Sequence, residues 1–109
     1  MSKKVPYSNL DVDETEDLAF GGPCELIDGT AFNGHTVVTF LKIYDAAAVA
    51  DVTVGTTVPK FVIGIPTKSS VSIPQAAFAN GVVVACTLNA ALADATDPVV
   101  GAVVNLTTT

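Results

Sequence analysis

Apolar positions along the chain fall into short runs with a period of two, separated by Gly, Pro, Asn and Asp. The clearest run is Thr36–Tyr44, TVVTFLKIY, which is β-branched and aromatic almost throughout, as suits a pleated, half-buried strand. Successive side chains of a strand point to opposite faces. Val37, Thr39, Leu41 and Ile43 therefore share one face, and Val38, Phe40, Lys42 and Tyr44 the other. Neither face is clearly polar, so both are expected to be covered. The expected partner is Lys60–Pro66, KFVIGIP, where Phe61, Ile63 and Ile65 alternate with Lys60, Val62, Gly64 and Pro66. The intervening Asp45–Val58 is rich in Ala, Thr and Gly, and is too long for a tight hairpin.

The same reading predicts strands at Cys24–Ile27, at Ser70–Pro74, in VVVACTLN after Gly81, and at Val99–Leu106. Asp28–Gly29, Asn33–Gly34 and Thr67–Ser70 are turn signals, and Gln75–Asn80 reads as a connection. Pro59, Pro66 and Pro74 suit strand ends, where a missing N–H is tolerated. The Ala run after Asp45 and the stretch Ala90–Ala95 each allow one helical turn. An α/β fold needs amphipathic helices of roughly 10–15 residues between strands, and none is visible. The expected class is all-β: an antiparallel β-sandwich or jelly-roll-like barrel of about six to eight strands.

Residues 1–20 differ from the rest. Asp11, Asp13, Glu14, Glu16 and Asp17 place five carboxylates in seven positions. Mutual repulsion favours an extended N-terminal arm over 1–20, with 21–109 as a single β-sandwich domain and Gly21–Gly22–Pro23 at the break. Two readings of the arm stay open. It is a disordered tail, or it orders on a partner with Val5, Tyr7 and Leu10 as anchors.

Composition changes this picture in one respect. Half of the 109 residues are hydrophobic and the mean hydropathy is +0.53, an apolar surplus for a small monomer. No apolar run reaches the ~18 residues of a membrane helix. The surplus therefore points to burial against other subunits, with Val38, Phe40 and Tyr44 as the interface candidates. A net charge of −6, with five Lys and no Arg, argues against binding nucleic acid, which needs a cationic patch. The segment MSKKVPYSNL does not read as a secretory signal. Cys24 and Cys86 are accordingly expected as reduced, buried thiols, the alternative being a disulfide between neighbouring strands.

Candidate chemistry is sparse. His35 follows a turn, with no nucleophile or orienting acid in a recognisable pattern. Asp11–Glu14, DVDE, begins like a calcium loop, but Glu16 and Gly22 stand where Gly and Glu are required. Gly21–Gly22 lacks the Lys-Ser/Thr of a phosphate loop, and Asn105–Thr107 fits the glycosylation triplet only by chance. Lys42, inside the central strand, is expected to reach solvent or a carboxylate. No catalytic, cofactor-binding or metal residue is assigned, and the expectation is a protein that is not an enzyme. A recognition module would draw on Phe32, Asn33, His35 and the Asp45–Thr57 loop.

From Phe40 onward the chain also resembles a known family. The elements are FLKIYDA at Phe40–Ala46, VTVGTTVPKFVIGIP at Val52–Pro66, SVSIP at Ser70–Pro74 and FANGVVVACT at Phe78–Thr87. Their order is similar to that in small β-sandwich virion proteins of tailed bacteriophages. The resemblance covers about half of the chain and rests on hydrophobic strands with fixed Gly and Pro. It implies a non-enzymatic decoration or cement protein, commonly a homotrimer, on the outer surface of the phage head. The implied partners are the major capsid protein and further copies of the chain, without nucleic acid, membrane or cofactor. The implied location is the virion head, assembled in the host cytoplasm. The alternative is a recognition module on a head fibre or tail that binds a host receptor or glycan.

Overall fold

The run expected at the centre forms strand β4 (Thr39–Asp45), and its expected partner forms β5 (Phe61–Ile65). The two pair antiparallel, with Leu41 opposite Ile63 and Ile43 opposite Phe61. The computed structural model describes residues 4–109. The remaining strands are β1 (Val5–Val12), β2 (Asp17–Gly21), β3 (Cys24–Asn33), β6 (Ser69–Ser72), β7 (Ala76–Phe78), β8 (Gly81–Thr87) and β9 (Ala102–Thr108). A single 3-10 turn, Val49–Asp51, lies in the loop after β4.

The strands form two antiparallel sheets. One runs β1-β9-β3-β6, with β7 also paired to β3, and the other runs β2-β8-β4-β5. Leu26, Ala31, Val104 and Leu106 of the first sheet meet Leu41, Ile43, Ile65 and Val84 of the second in the main core. Each such Leu, Ile or Val side chain contributes about 1.5–3 kcal/mol by leaving water. The fold is thus the all-β sandwich that the alternation predicts. Both faces of β4 are largely covered, also as expected, with Phe40 half-buried on the outer one. Its outer face carries a second cluster, in which Tyr44, Val83 and Ala85 lie with Ala46 and Val52 of the following loop.

Three features differ from expectation. There are nine strands among the described residues, because β1, β2 and β7 arise in segments read as arm or connection. The extended arm is corrected for residues 5–20: β1 pairs with β9 and β2 with β8. The carboxylate run does not prevent this, because much of it falls in the turn between β1 and β2. Around that turn Val5, Tyr7 and Asn9 alternate with exposed neighbours, and Val12 enters the core. Residues 1–3 of the expected arm lie outside the described residues.

Asp28–Gly29 is not a turn either; β3 runs straight through it, with a bulge between Leu26 and Asp28. A Cβ at Gly29 would lie 2.8 Å from Leu106 Cδ2 and 3.1 Å from Ile73 Cβ. Glycine is needed there for close packing of the core, not for a change of chain direction.

Candidate interaction surface

The outer face of the second sheet is where the sequence-derived interface residues fall, and they separate into two groups. Tyr44 is only 1% exposed, beneath Ala46 and Val52. It belongs to the protein's own interior, which corrects its assignment to a subunit interface. Period two placed it on the right face, but the loop after β4 folds back over that end of the strand. Burial raises its hydroxyl pKa, and Glu16 adds to the effect.

The other end of the face is open. Val38 is exposed just before β4, and Phe40 is half-buried on the strand. Phe40 lies opposite Gly64 of β5, with Cε2 3.2 Å from where a Gly64 Cβ would stand. Val62 of β5 is exposed, and so is Leu92 of the β8–β9 loop. Lys42 brings Leu92 to this face. Its side chain is fully buried, and Nζ donates to the carbonyl oxygens of Ala91 and Asp94, both at 2.8 Å. Burial lowers the Lys42 pKa, while the nearby Asp94 carboxylate opposes that shift. Phe40 and Val62 therefore share the outer face beside β5, an edge strand of its sheet, with exposed Val38 just before β4 and exposed Leu92 on the loop that Lys42 holds. Val58, 74% exposed, precedes that strand.

Sequence reasoning missed Val62 and Leu92. Val62 was recoverable, because it alternates with Phe61 and Ile63 and so shares a face with Lys42 and Phe40. Leu92 carries no such signal, since its place depends on a hydrogen bond from a residue 50 positions earlier.

The opposite edge of the sandwich is acidic. The β1–β2 connection carries Asp13, Glu14 and Glu16, flanked by Asp11 and Asp17. A hydrogen bond to its own backbone favours ionised Glu14. Desolvation and the neighbouring Asp97 and Asp13 outweigh it, and the Glu14 pKa is raised. Of the expected arm contacts, Tyr7 donates its hydroxyl proton to Asp17, and Asn9 Nδ2 donates to the same carboxylate at 3.1 Å. Burial, then the bond to Asp17, raises the Tyr7 pKa. Val5 is half-buried on β1, and Leu10 alone of the three anchors projects freely, at 76% exposure.

The other candidates are accounted for locally. Asn33 is fully buried, and its amide donates to the carbonyls of Val37 and Ile65, both at 2.9 Å. His35 Nδ1 accepts from the Thr36 N–H at 2.7 Å, so it shapes a turn. Phe32 stays exposed on β3. Cys24 and Cys86 are free thiols, the second buried. A cleft of about 290 Å³ lies beside the loop after β4 and is bordered by Asp45, Asp51 and Asn80. Asp45 already accepts from the N–H groups of Ala79, Asn80 and Gly81. Partial burial opposes its ionisation, but these donors outweigh it and hold its pKa below the ordinary value. Among the described residues, no group of three or more His, Cys, Asp or Glu side chains is placed to hold a metal ion.

Fold and surface together define an antiparallel β-sandwich, nine-stranded over the described residues, with apolar residues exposed at one edge and an acidic run at the other. Comparison with known protein families, curated proteins and solved structures finds no match to this chain.

Proposed function

We propose that this chain is a non-enzymatic structural protein that self-associates and decorates the outer surface of a tailed-bacteriophage head. The observation that carries the reading is the apolar surface of Phe40 and Val62 beside an open sheet edge, with exposed Val38 and Leu92 on the adjoining segments. Exposed apolar surface of this kind marks a site of association. The resemblance of Phe40–Thr87 to small β-sandwich virion proteins supports the choice of assembly, with the major capsid protein as partner.

The mechanism is mechanical. Packaged DNA pushes outward on a shell held by many weak contacts. An oligomer bridging neighbouring shell subunits adds binding free energy that must be lost before they separate. A sheet edge can add main-chain hydrogen bonds to a strand on the shell. Several such edges on one oligomer bind with high effective concentration.

The test is co-sedimentation of the purified protein with expanded, empty heads of the phage that encodes it, beside envelopes of its host. Saturable binding to heads alone is the expected result. Binding to envelopes and not to heads would overturn the reading in favour of a receptor-recognition module.

A further inference from the structure

β1 is tied to the body along one side and joined to it by a short crossing. It is an edge strand, and its ladder runs to β9 alone among the described residues. Val5, Tyr7 and Asn9 are half-buried, and Val12 ends the strand in the core. The Asp13 carbonyl then accepts from the Cys86 N–H at 2.7 Å, and β2 starts at Asp17 in the other sheet. Only Glu14, Thr15 and Glu16 lie between them.

That crossing is held under strain. Glu14 Oε2 is buried with no hydrogen-bond partner among the described residues. The carboxylates of Asp13 and Asp97 both act on Glu14 with charge of its own sign. A buried acceptor without a donor is costly, and like charges beside it add to the cost. Thr15 folds the crossing back, its N–H donating to the Asp13 carboxylate at 2.9 Å. Straightening residues 14–16 would give up that one exposed bond and carry Glu14 away from Asp97 into water.

We propose that the chain exchanges β1 between copies, each supplying the strand that covers β9 of its partner. The proposal deepens the reading that the protein self-associates, and rests on it. Exchange keeps the interior as it is. Val12 enters the same core, Asp13 docks on β8, and Tyr7 and Asn9 meet the same Asp17 carboxylate, now across two chains. Every contact of β1 is remade, so the crossing decides between the closed and the exchanged form. A short hinge under strain favours exchange, which is a low-cost route from monomer to oligomer. Fully extended, the four steps from residue 13 to residue 17 span about 13–14 Å. That exceeds the ~10 Å between packed sheets, so the hinge reaches a sandwich lying against this one. Copies joined in this way separate only when a whole ladder of main-chain hydrogen bonds opens.

A disulfide across the β1–β9 ladder reads which chain supplies β1. Ser8 and Asn105 are exposed and pair directly, at a separation that suits a bridge. Ser8→Cys and Asn105→Cys are combined in a Cys24→Ser background, with folding checked by circular dichroism. Under mild oxidation the bridge forms wherever β1 lies on β9, and peptide mapping identifies it. Covalent multimers joined by the 8–105 bridge are the expected result on a non-reducing denaturing gel. Glu14→Gln removes one of the like charges and gives Asp97 a donor. Refolded at the same concentration, it should lower the interchain fraction by about two- to fivefold, the range of a surface charge contact. An unchanged fraction would overturn the hinge as the cause of exchange. Bridges found only within single chains, in a protein that sediments as an oligomer, would overturn exchange and leave self-association standing. A parent protein that is monomeric by sedimentation at all concentrations would overturn both.

Discussion

Lys42 holds Asp94 by its backbone, not by its carboxylate. Lys42 Nζ donates to the Asp94 carbonyl oxygen at 2.8 Å, while the side-chain carboxylate accepts from Thr96 Oγ1 at 2.6 Å and the Asn89 N–H at 3.0 Å. A cation from the middle of the central strand thus anchors a loop whose carboxylate organises its own turn. This pair fixes where Leu92 stands, and so shapes the apolar surface.

Lys42→Met keeps the aliphatic stem and removes the donor. The Ala91 and Asp94 carbonyls lose that partner, which costs about 1–3 kcal/mol where such groups stay buried. Urea denaturation should show a loss in that range. Hydrogen exchange should rise in residues 88–101 more than in β4 or β8. Equal protection of that loop in variant and parent would show that Lys42 does not anchor it.

Acid should weaken the protein through the same loop. The Thr96 hydroxyl, followed by the Asn89 donors, brings the Asp94 pKa from the ordinary 3.8 to about 2. A folded-state pKa below the unfolded value contributes stability that is full above the unfolded value and is lost as pH falls through the folded one. The window therefore runs from about pH 4 down to about pH 2, and Asp45, shifted in the same direction, adds to it. The difference in urea midpoint between parent and Asp94→Asn should be largest near neutral pH and close toward pH 2. A difference that grows on acidification would contradict this assignment.

Tyr7→Phe tests whether β1 is part of the body. The variant removes the hydroxyl donor to Asp17, leaving Asn9 to hold that carboxylate. A hydrogen bond to a charged group contributes about 1.5–3 kcal/mol. Thermal or urea unfolding should show a loss of that order. A free arm would show none.

Tyr44→Phe tests the opposite assignment. The Tyr44 hydroxyl is buried with no hydrogen-bond partner among the described residues. Removing an unsatisfied buried hydroxyl should leave stability unchanged or raise it by about 1 kcal/mol. Association should not change. Dissociation of the oligomer by this variant would return Tyr44 to the subunit interface.

Much of the sandwich was legible in the alternation of side chains, because a strand with two covered faces is mostly apolar on both, and β4 is so apart from Thr39 and Lys42. The pairing of β4 with β5 followed from that pattern, and the strand-end prolines from their missing N–H. What failed was local chemistry read without its tertiary partner. Asp28–Gly29 has the composition of a turn, yet Gly29 is small because Leu106 and Ile73 approach it. Residues 11–17 have the composition of a repelling tail, yet Tyr7 before the carboxylates and Val12 among them bury apolar surface. The same limit applies at the surface: Phe40 and Tyr44 share a face and differ only in what the following loops cover.

Val62→Asp is the variant that joins the proposed function to the surface. Val62 is exposed on β5, opposite the buried Lys42, so a carboxylate there stays in water and takes nothing from the core. Exposed substitutions of this kind change stability by only about 0.5 kcal/mol. Circular dichroism and the melting temperature should therefore stay close to those of the parent. Association should fall, because the apolar contact is lost and a desolvated charge is costly at a packed seam. Leu92→Asp, on the loop held by Lys42, should act in the same direction. Head binding should then drop more steeply than subunit association, because a monomer loses the multivalent gain. Sedimentation and head-binding assays on one preparation read both effects. A folded Val62→Asp protein that remains oligomeric and decorates heads at the parental level would remove this surface from the mechanism.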